Sequence, residues 1–207
     1  MNIIESLVIP ISVCILAYFC GLFSTARVLA KTFKYLNITK VGTGHADTKN
    51  IYSNVSKAMG VVVGLVDIVK IYLFLYIIKY FFEVIIKQAD FASENHLFIY
   101  GFFLILGHCF PFYNKFKGGR GIFTFAGYLG FFAPQTMLIV GFISTVIALG
   151  FGQYRAAKYF LVGAPVIASL MISTITRQPS SLTAKILMAS LLMIIVNFIV
   201  SRKRNEI

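Results

Sequence analysis

The chain has 207 residues, of which 58% are hydrophobic and only 13% are charged. Soluble domains carry about 25% charged residues, so this composition excludes an ordinary water-soluble protein. It indicates one domain of membrane helices over residues 1–207. Lysine and arginine number 19 against 7 acidic residues, a net charge of +12. In so apolar a chain, the excess indicates basic cytoplasmic loops rather than nucleic-acid binding.

The membrane spans are predicted from the uncharged runs, because a helix needs about 20 apolar residues to cross a bilayer. Residues 121–154 carry no charge. As one helix they would be about 51 Å long, so we expect them to turn near Pro134 and form two spans. The sequence therefore predicts an all-α bundle of seven transmembrane helices, at about residues 6–26, 58–82, 97–114, two within 121–154, 159–176 and 182–200.

The basic residues predict how this bundle is oriented, because cytoplasmic loops are enriched in lysine and arginine. With the N-terminus outside, only Lys87, Arg177 and Lys185 fall in outside segments, while Lys70 and Lys79 lie within the second span. We therefore expect the N-terminus outside and the C-terminus inside. The basic residues then placed inside are Arg27, Lys31, Lys34, Lys40, Lys49, Lys57, Lys115, Lys117, Arg120, Arg155, Lys158, Arg202, Lys203 and Arg204.

The most specific stretch is residues 107–121, GHCFPFYNKFKGGRG, between the third and fourth spans. Its last glycines allow a sharp turn whose consecutive N–H groups can form an anion-binding nest. A helix that begins there adds its positive dipole end. Lys117 and Arg120 add full charges, and arginine can bind a phosphate through two hydrogen bonds. The pattern predicts a phosphate-binding turn; an ordinary basic loop with a glycine turn is the alternative.

Two further segments carry polar groups. Residues 42–50, GTGHADTKN, form a second glycine loop that matches neither a Walker A motif nor GxGxxG; a capped turn is the alternative. It lies in a long loop, residues 31–57, of a length that is usually functional or packed. Asp67 and Lys70 are close enough along one helix to pair, either as a structural ion pair or as the wall of a substrate cleft. His108 is a packing residue or a general base.

These segments resemble, in order and spacing, the bacterial acyl-phosphate:glycerol-3-phosphate acyltransferase family. Residues 107–124 match its GHxFPxFxxFKGGKGxxT signature, with Arg120 in place of a lysine. Residues 42–53 resemble its GSGNxGATNxxR loop, with Thr43 in place of serine. Residues 67–70 match the first four positions of its DxxKG motif. The resemblance covers nearly the whole chain.

Several family positions differ in this chain. The arginine that ends the family's glycine loop is Ser53. Residues 153–156, QYRA, resemble the family's RYxS but lack both its arginine and its serine. Residues 202–207 resemble RHxxNI, with Lys203 in place of histidine and Glu206 in place of asparagine.

The resemblance implies a multi-pass enzyme of the bacterial inner membrane with its site on the cytoplasmic side. It implies transfer of an acyl group from acyl phosphate to glycerol 3-phosphate, which makes lysophosphatidic acid for phospholipid synthesis without a metal or other cofactor. Expected partners are these two substrates and membrane phospholipids. The implied catalytic residues are Thr43 and His108, and the implied substrate-binding residues are Lys49, Asn50, Asp67, Lys70, Lys117, Gly118, Gly119 and Arg120.

The substituted positions leave two other hypotheses open. One is a family relative that binds phospholipid or acyl phosphate without turnover. The other is an acyltransferase with a different phosphorylated acceptor. A transporter is disfavoured, because the sequence shows neither an inverted repeat nor a pair of broken helices.

Overall fold

The computed structural model describes residues 3–177 and 181–202, and its regular elements are helical throughout this part of the chain. Lys203 and Glu206, two of the positions that depart from the family pattern, lie outside the described residues. In chain order the α-helices are α1 (Ile3–Gly21), α2 (Thr25–Lys34), α3 (Thr48–Asn54), α4 (Lys57–Tyr80), α5 (Glu94–Cys109), α6 (Ile122–Phe132), α7 (Pro134–Thr145), α8 (Tyr154–Thr176) and α9 (Ser181–Arg202).

Within the described residues, five helical segments are long and apolar enough to cross a membrane, and they contain α1, α4, α5, α8 and α9. Helices α6 and α7 are apolar but shorter. The turn predicted between them is confirmed, because α6 ends at Phe132 and α7 begins at Pro134. Proline is favoured in the first turn of a helix, where its missing N–H costs nothing. The count of seven spans stays a prediction.

The prediction of a first span over residues 6–26 is wrong at its C-terminal end. Helix α1 ends at Gly21, the chain bends, and α2 begins at Thr25. One face of α2 packs against the protein, whereas Lys31 and Lys34 are exposed. The uncharged run is therefore divided between two helices rather than forming one continuous helix.

Helices α1 and α5 touch backbone to backbone. A side chain at Gly107 would collide with the carbonyl oxygen of Tyr18, and one at Gly21 would collide with that of Leu104. Small residues at such crossings let membrane helices approach closely. The Tyr18 hydroxyl also donates a hydrogen bond of 2.7 Å to the carbonyl of Phe110. The same contact therefore fixes the chain where it leaves α5.

The segment between α2 and α4 folds over the end of the bundle at which α1 and α5 end and α4 and α6 begin. It contains a 3-10 turn, Ile38–Lys40, followed by α3. Its inner face forms a small apolar core that packs on α2 and α4, which confirms the prediction of a packed loop. The buried members of this core are Ala26, Ala30, Ile38, Ala46, Ile51 and Val63.

The α1–α5 crossing gives a direct test of the packing. We expect Gly107→Ala to lower the free energy of unfolding by about 1–3 kcal/mol, because the added methyl group must push the two backbones apart. Gly163→Ala in α8 is the matched control, since nothing lies within 4 Å of its added Cβ. Thermal unfolding of both purified variants in the same detergent measures the difference. Equal unfolding midpoints would contradict the close crossing.

Candidate functional site

Three polar side chains meet where α4 passes the end of α5. The Lys70 ammonium lies 3.0 Å from a carboxylate oxygen of Asp67 and 2.8 Å from Nδ1 of His108. It also donates a hydrogen bond of 3.3 Å to the carbonyl of Phe23, just before α2. An ammonium has three N–H donors, so all three are used. The predicted pairing of Asp67 with Lys70 is confirmed, and the pair holds three elements together.

This arrangement fixes the proton on the imidazole ring of His108. An ammonium can only donate, so Nδ1 accepts from Lys70 and the neutral ring carries its proton on Nε2. A side chain at Gly119 would collide with Nε2 and would lie 2.8 Å from the carbonyl oxygen of Ala46. The Nε2–H group therefore lies beside the glycine turn and is set to donate a hydrogen bond rather than to accept a proton.

The glycine turn is not the open nest that the sequence predicts. The N–H of Gly118 donates to the carbonyl of Cys109 at 3.0 Å, and that of Gly119 donates to the carbonyl of His108 at 3.3 Å. These bonds cap the C-terminus of α5. A side chain at Gly118 would collide with the His108 carbonyl oxygen. Both N–H groups therefore have acceptors at the helix end, and contact of these glycines with a phosphate stays a prediction.

Helix α6 begins directly after the turn, as predicted. Gly121 precedes it with φ of +71°, a left-handed conformation that glycine adopts without strain. The side-chain amide of Asn197 in α9 donates a hydrogen bond of 3.4 Å to the carbonyl of Arg120. The turn is thus held from α5 on one side and from α9 on the other.

Arg120 forms a buried ion pair with Asp47. Its Nη1 lies 3.1 Å from Oδ2 of Asp47, while Oδ1 of the same carboxylate accepts from the N–H of Asn50 at 2.9 Å and caps α3. Removing one partner of such a pair typically costs about 3–5 kcal/mol, because it leaves a buried charge. Arg120, expected as a phosphate ligand, instead joins the glycine turn to the start of α3.

Asn50 is also used by the protein itself. Its Nδ2 lies 2.9 Å from the carbonyl oxygen of Val41 and 2.8 Å from that of His45, and its Oδ1 accepts from the N–H of Thr43 at 3.2 Å. The residue is fully buried and its side chain organises the glycine loop, while its contact with a substrate stays a prediction. Thr43 and Lys49, in contrast, are exposed.

Sequence reasoning missed two residues of this region. It counted Arg27 only as a basic loop residue, whereas its Nη2 donates a hydrogen bond of 2.8 Å to the carbonyl of Lys117. Its guanidinium carbon also lies 5.1 Å from the centre of the Tyr113 ring. The other missed residue is Asp47, for which the available signal was an acid within a basic loop, in a chain with only 7 acids.

The structure therefore brings most of the expected site residues together. The buried members of this polar cluster are Asp47, Asn50, Asp67, His108, Gly118, Gly119 and Arg120, with Lys70 largely buried among them. The exposed residues beside the cluster are Thr43, Lys49 and Lys117. In residues 3–177 and 181–202, no three His, Cys, Asp or Glu side chains converge as metal ligands would.

The hydrogen bond from Lys70 to His108 has a spectroscopic consequence. In the ¹⁵N NMR spectrum of His-labelled protein, we expect a neutral His108 ring protonated at Nε2. Lys70→Met removes the donor, so a population protonated at Nδ1 should appear. Lys79→Met is the control, because Lys79 lies on the same helix and pairs only loosely with Glu83, at 3.9 Å. An unchanged His108 spectrum in Lys70→Met would refute the assignment.

Comparisons with known proteins agree with this architecture. The chain matches the model of the glycerol-3-phosphate acyltransferase family over residues 11–207. Glycerol-3-phosphate acyltransferase 2 of Bacillus anthracis is 30% identical over 191 residues, which cover 92% of this chain and 90% of that protein. Glycerol-3-phosphate acyltransferase of Streptococcus thermophilus (strain CNRZ 1066) is 30% identical over 77% of this chain and 70% of that protein.

The fold is also similar to a solved structure. This is the crystal structure of PlsY (YgiH), an integral membrane glycerol 3-phosphate acyltransferase, in its glycerol 3-phosphate form. The TM-score is 0.71 at 21% sequence identity, and the match covers 95% of this chain and 90% of that one. With a family match that runs from residue 11 to residue 207, the chain belongs to the glycerol-3-phosphate acyltransferase family.

Proposed function

We propose that this protein transfers an acyl group from an acyl phosphate to glycerol 3-phosphate and so makes lysophosphatidic acid for phospholipid synthesis. The observation that carries the proposal is the hydrogen bond from Lys70 to Nδ1 of His108. It leaves the Nε2–H of His108 as a fixed donor beside the glycine turn, at an end of the bundle that is rich in cations. Membership of the family supplies the reaction class.

The reaction asks little covalent chemistry of the protein. An acyl phosphate already carries a good leaving group, so the site has mainly to orient the acceptor hydroxyl and to stabilise developing negative charge. Both substrates carry phosphate groups. Lys49, exposed in the first turn of α3, and Lys117, exposed in the loop before α6, supply the positive charge that attracts them. The hydroxyl of Thr43, exposed in the glycine loop before α3, supplies a neutral hydrogen-bond donor.

The fate of the acceptor hydroxyl proton depends on which bases in the site are free to accept it. The acceptor oxygen bonds to the acyl carbon, the bond from that carbon to the phosphate oxygen breaks, and its electrons leave with the phosphate. His108 does not take the hydroxyl proton, because Nδ1 is occupied and Nε2 is already protonated. Asp47 and Asp67 are each paired with a cation. The departing phosphate therefore takes the proton, while Nε2–H stabilises a developing oxyanion.

Arg120 and Asn50 act indirectly in this scheme. The ion pair of Arg120 with Asp47 holds the glycine turn against α3, and Asn50 shapes the loop that presents Thr43. Both are positioning residues, which hold the exposed donors at a fixed distance from the His108 ring.

A different phosphorylated acceptor is the second candidate. It is favoured by Ser53, an exposed residue of α3 that stands where the family loop carries an arginine. A neutral side chain at this position lowers the positive charge next to the bound acceptor.

The arrangement of the helices also supports a position for the site. We infer a protein of the bacterial cell membrane with seven spans, in which α6 and α7 cross as two short helices, the N-terminus is outside and the C-terminus is inside. The ends of α1 and α5 and the starts of α4 and α6 meet at the polar cluster, as alternating spans require. The basic residues of the adjoining loops favour a cytoplasmic position for this end.

Turnover tests the reaction directly. Purified protein given an acyl phosphate and glycerol 3-phosphate is expected to release one inorganic phosphate for each lysophosphatidic acid formed. Lys117→Gln should lower kcat/KM by about 10-fold or more, the value of one charged hydrogen bond. Lys115→Gln, an exposed lysine of the same loop, should change it little. Wild-type product no greater than that of His108→Gln refutes the reaction, and product from another phosphorylated alcohol alone would establish the second candidate.

Thiol labelling tests the orientation. In a background in which Cys14, Cys20 and Cys109 are replaced by alanine, Lys87→Cys is expected to react with a membrane-impermeant maleimide in intact cells. Lys115→Cys should react only after the membrane is made permeable. The opposite labelling pattern would place the polar cluster outside the cell and contradict the proposed topology.

A further inference from the structure

We propose that the first turn of α2 is a second phosphate-binding element, in which Arg27 is the charged ligand and the hydroxyl of Thr25 is a neutral one. The ligand is a phosphate monoester or acyl phosphate group, so the identity of the ligand rests on the proposed function. The argument depends on where this turn lies, on its charge and on its unused hydrogen-bond donors.

The first turn of α2 lies between Lys70 and Lys117, which precedes the glycine turn. The carbonyl of Phe23, two residues before α2, accepts from Lys70 at 3.3 Å. On the other side, Nη2 of Arg27 donates to the carbonyl of Lys117 at 2.8 Å. A ligand at this turn is therefore next to the Lys70–His108 pair and to Lys117.

Positive charge accumulates here without a matching acid. Helix α2 has no acidic residue in its first turn, and the positive end of its dipole coincides with Arg27, an arrangement that is unfavourable by itself. Lys70 and Lys117 add further charge. Among the residues that the structure describes, Asp67 pairs with Lys70 and no carboxylate pairs with Arg27 or Lys117. An anion would relieve this excess.

The same turn holds polar atoms that are buried and without a partner. Among the described residues, Nε of Arg27, Oγ1 of Thr25 and Oγ of Ser24 have no hydrogen bond, although Thr25 is only 6% exposed. Buried polar atoms are normally hydrogen-bonded. The backbone N–H groups that open a helix also lack intrahelical acceptors; in α2 the N–H of Arg27 already donates to the Ser24 carbonyl at 3.1 Å, so the N–H groups before it are the ones that can serve a ligand. Guanidinium, hydroxyl and amide donors together form the set that binds a phosphate group.

The orientation of the Arg27 guanidinium leaves one edge available. Its Nη2 is held by the Lys117 carbonyl, and the Tyr113 ring lies 5.1 Å from its carbon atom. The Nε edge, which is buried without a partner, remains for the ligand. Two neighbouring contacts thus fix the side chain and reduce the entropy that it would lose on binding.

Steady-state kinetics identify the phosphate group that binds. Arg27→Gln is expected to raise KM for one of the two substrates by about 10-fold, with kcat changed by less than about threefold. Thr25→Val should raise the same KM by about threefold. Lys34→Gln is the matched control, because it removes an exposed positive charge from the last turn of the same helix. A raised KM for glycerol 3-phosphate assigns the acceptor, and one for acyl phosphate assigns the donor; unchanged KM values for both would overturn the proposal.

A binding measurement separates this inference from the proposed reaction. Glycerol 3-phosphate and, in a separate arm, inorganic phosphate are expected to raise the thermal unfolding midpoint of the wild type and of Lys34→Gln, but not of Arg27→Gln. Such a result without any turnover would refute the reaction and keep the site. Normal turnover, with equal ligand-induced shifts of the unfolding midpoint in Arg27→Gln and the wild type, would support the reaction and refute the site. If Arg27→Gln does not fold, Arg27→Lys replaces it, with a raised KM expected and an unchanged KM overturning the proposal.

Discussion

The Lys70 ammonium joins three parts of the chain through its three hydrogen bonds. They reach Asp67 on the same helix, the ring of His108 at the end of α5 and the Phe23 carbonyl before α2. A charge at this depth is tolerated only when it is paired and hydrogen-bonded, so the three elements are drawn to one point. The bond to His108 also determines which imidazole nitrogen carries the proton. The contacts that hold the helices together therefore also set the protonation of the site.

Much of the motif that carries the family resemblance makes contacts within the protein. The N–H groups of Gly118 and Gly119 cap α5, and Arg120 is held in a buried ion pair with Asp47. The side-chain amide of Asn50 is hydrogen-bonded to the loop that contains Thr43. We therefore expect the side chains around this scaffold to contribute most of the affinity for phosphate. A substitution of one of these buried residues is expected to change activity by moving the site, whereas a substitution of Lys49 or Lys117 is expected to change it by removing positive charge.

The sequence predicts what depends on local spacing and misses what depends on the path of the chain. Asp67 and Lys70 lie one helical turn apart, so their pairing can be inferred without a structure. The turn before Pro134 follows equally from the length of the uncharged run. The ion pair of Asp47 with Arg120 joins residues far apart in sequence, and only the folding of the loop over the bundle brings them together. The break between α1 and α2 also escapes prediction, because no charge or proline marks it.

The backbone contact between α1 and α5 has a consequence for how this protein can vary. Gly107, which touches the Tyr18 carbonyl, immediately precedes His108 in the chain. Any substitution that widens the crossing therefore displaces the imidazole together with the helix axis. We therefore expect few side chains to be tolerated at this crossing, since a wider contact would also move the His108 ring. At Gly163 an added methyl group meets no heavy atom within 4 Å, so alanine there leaves the crossing and the imidazole in place.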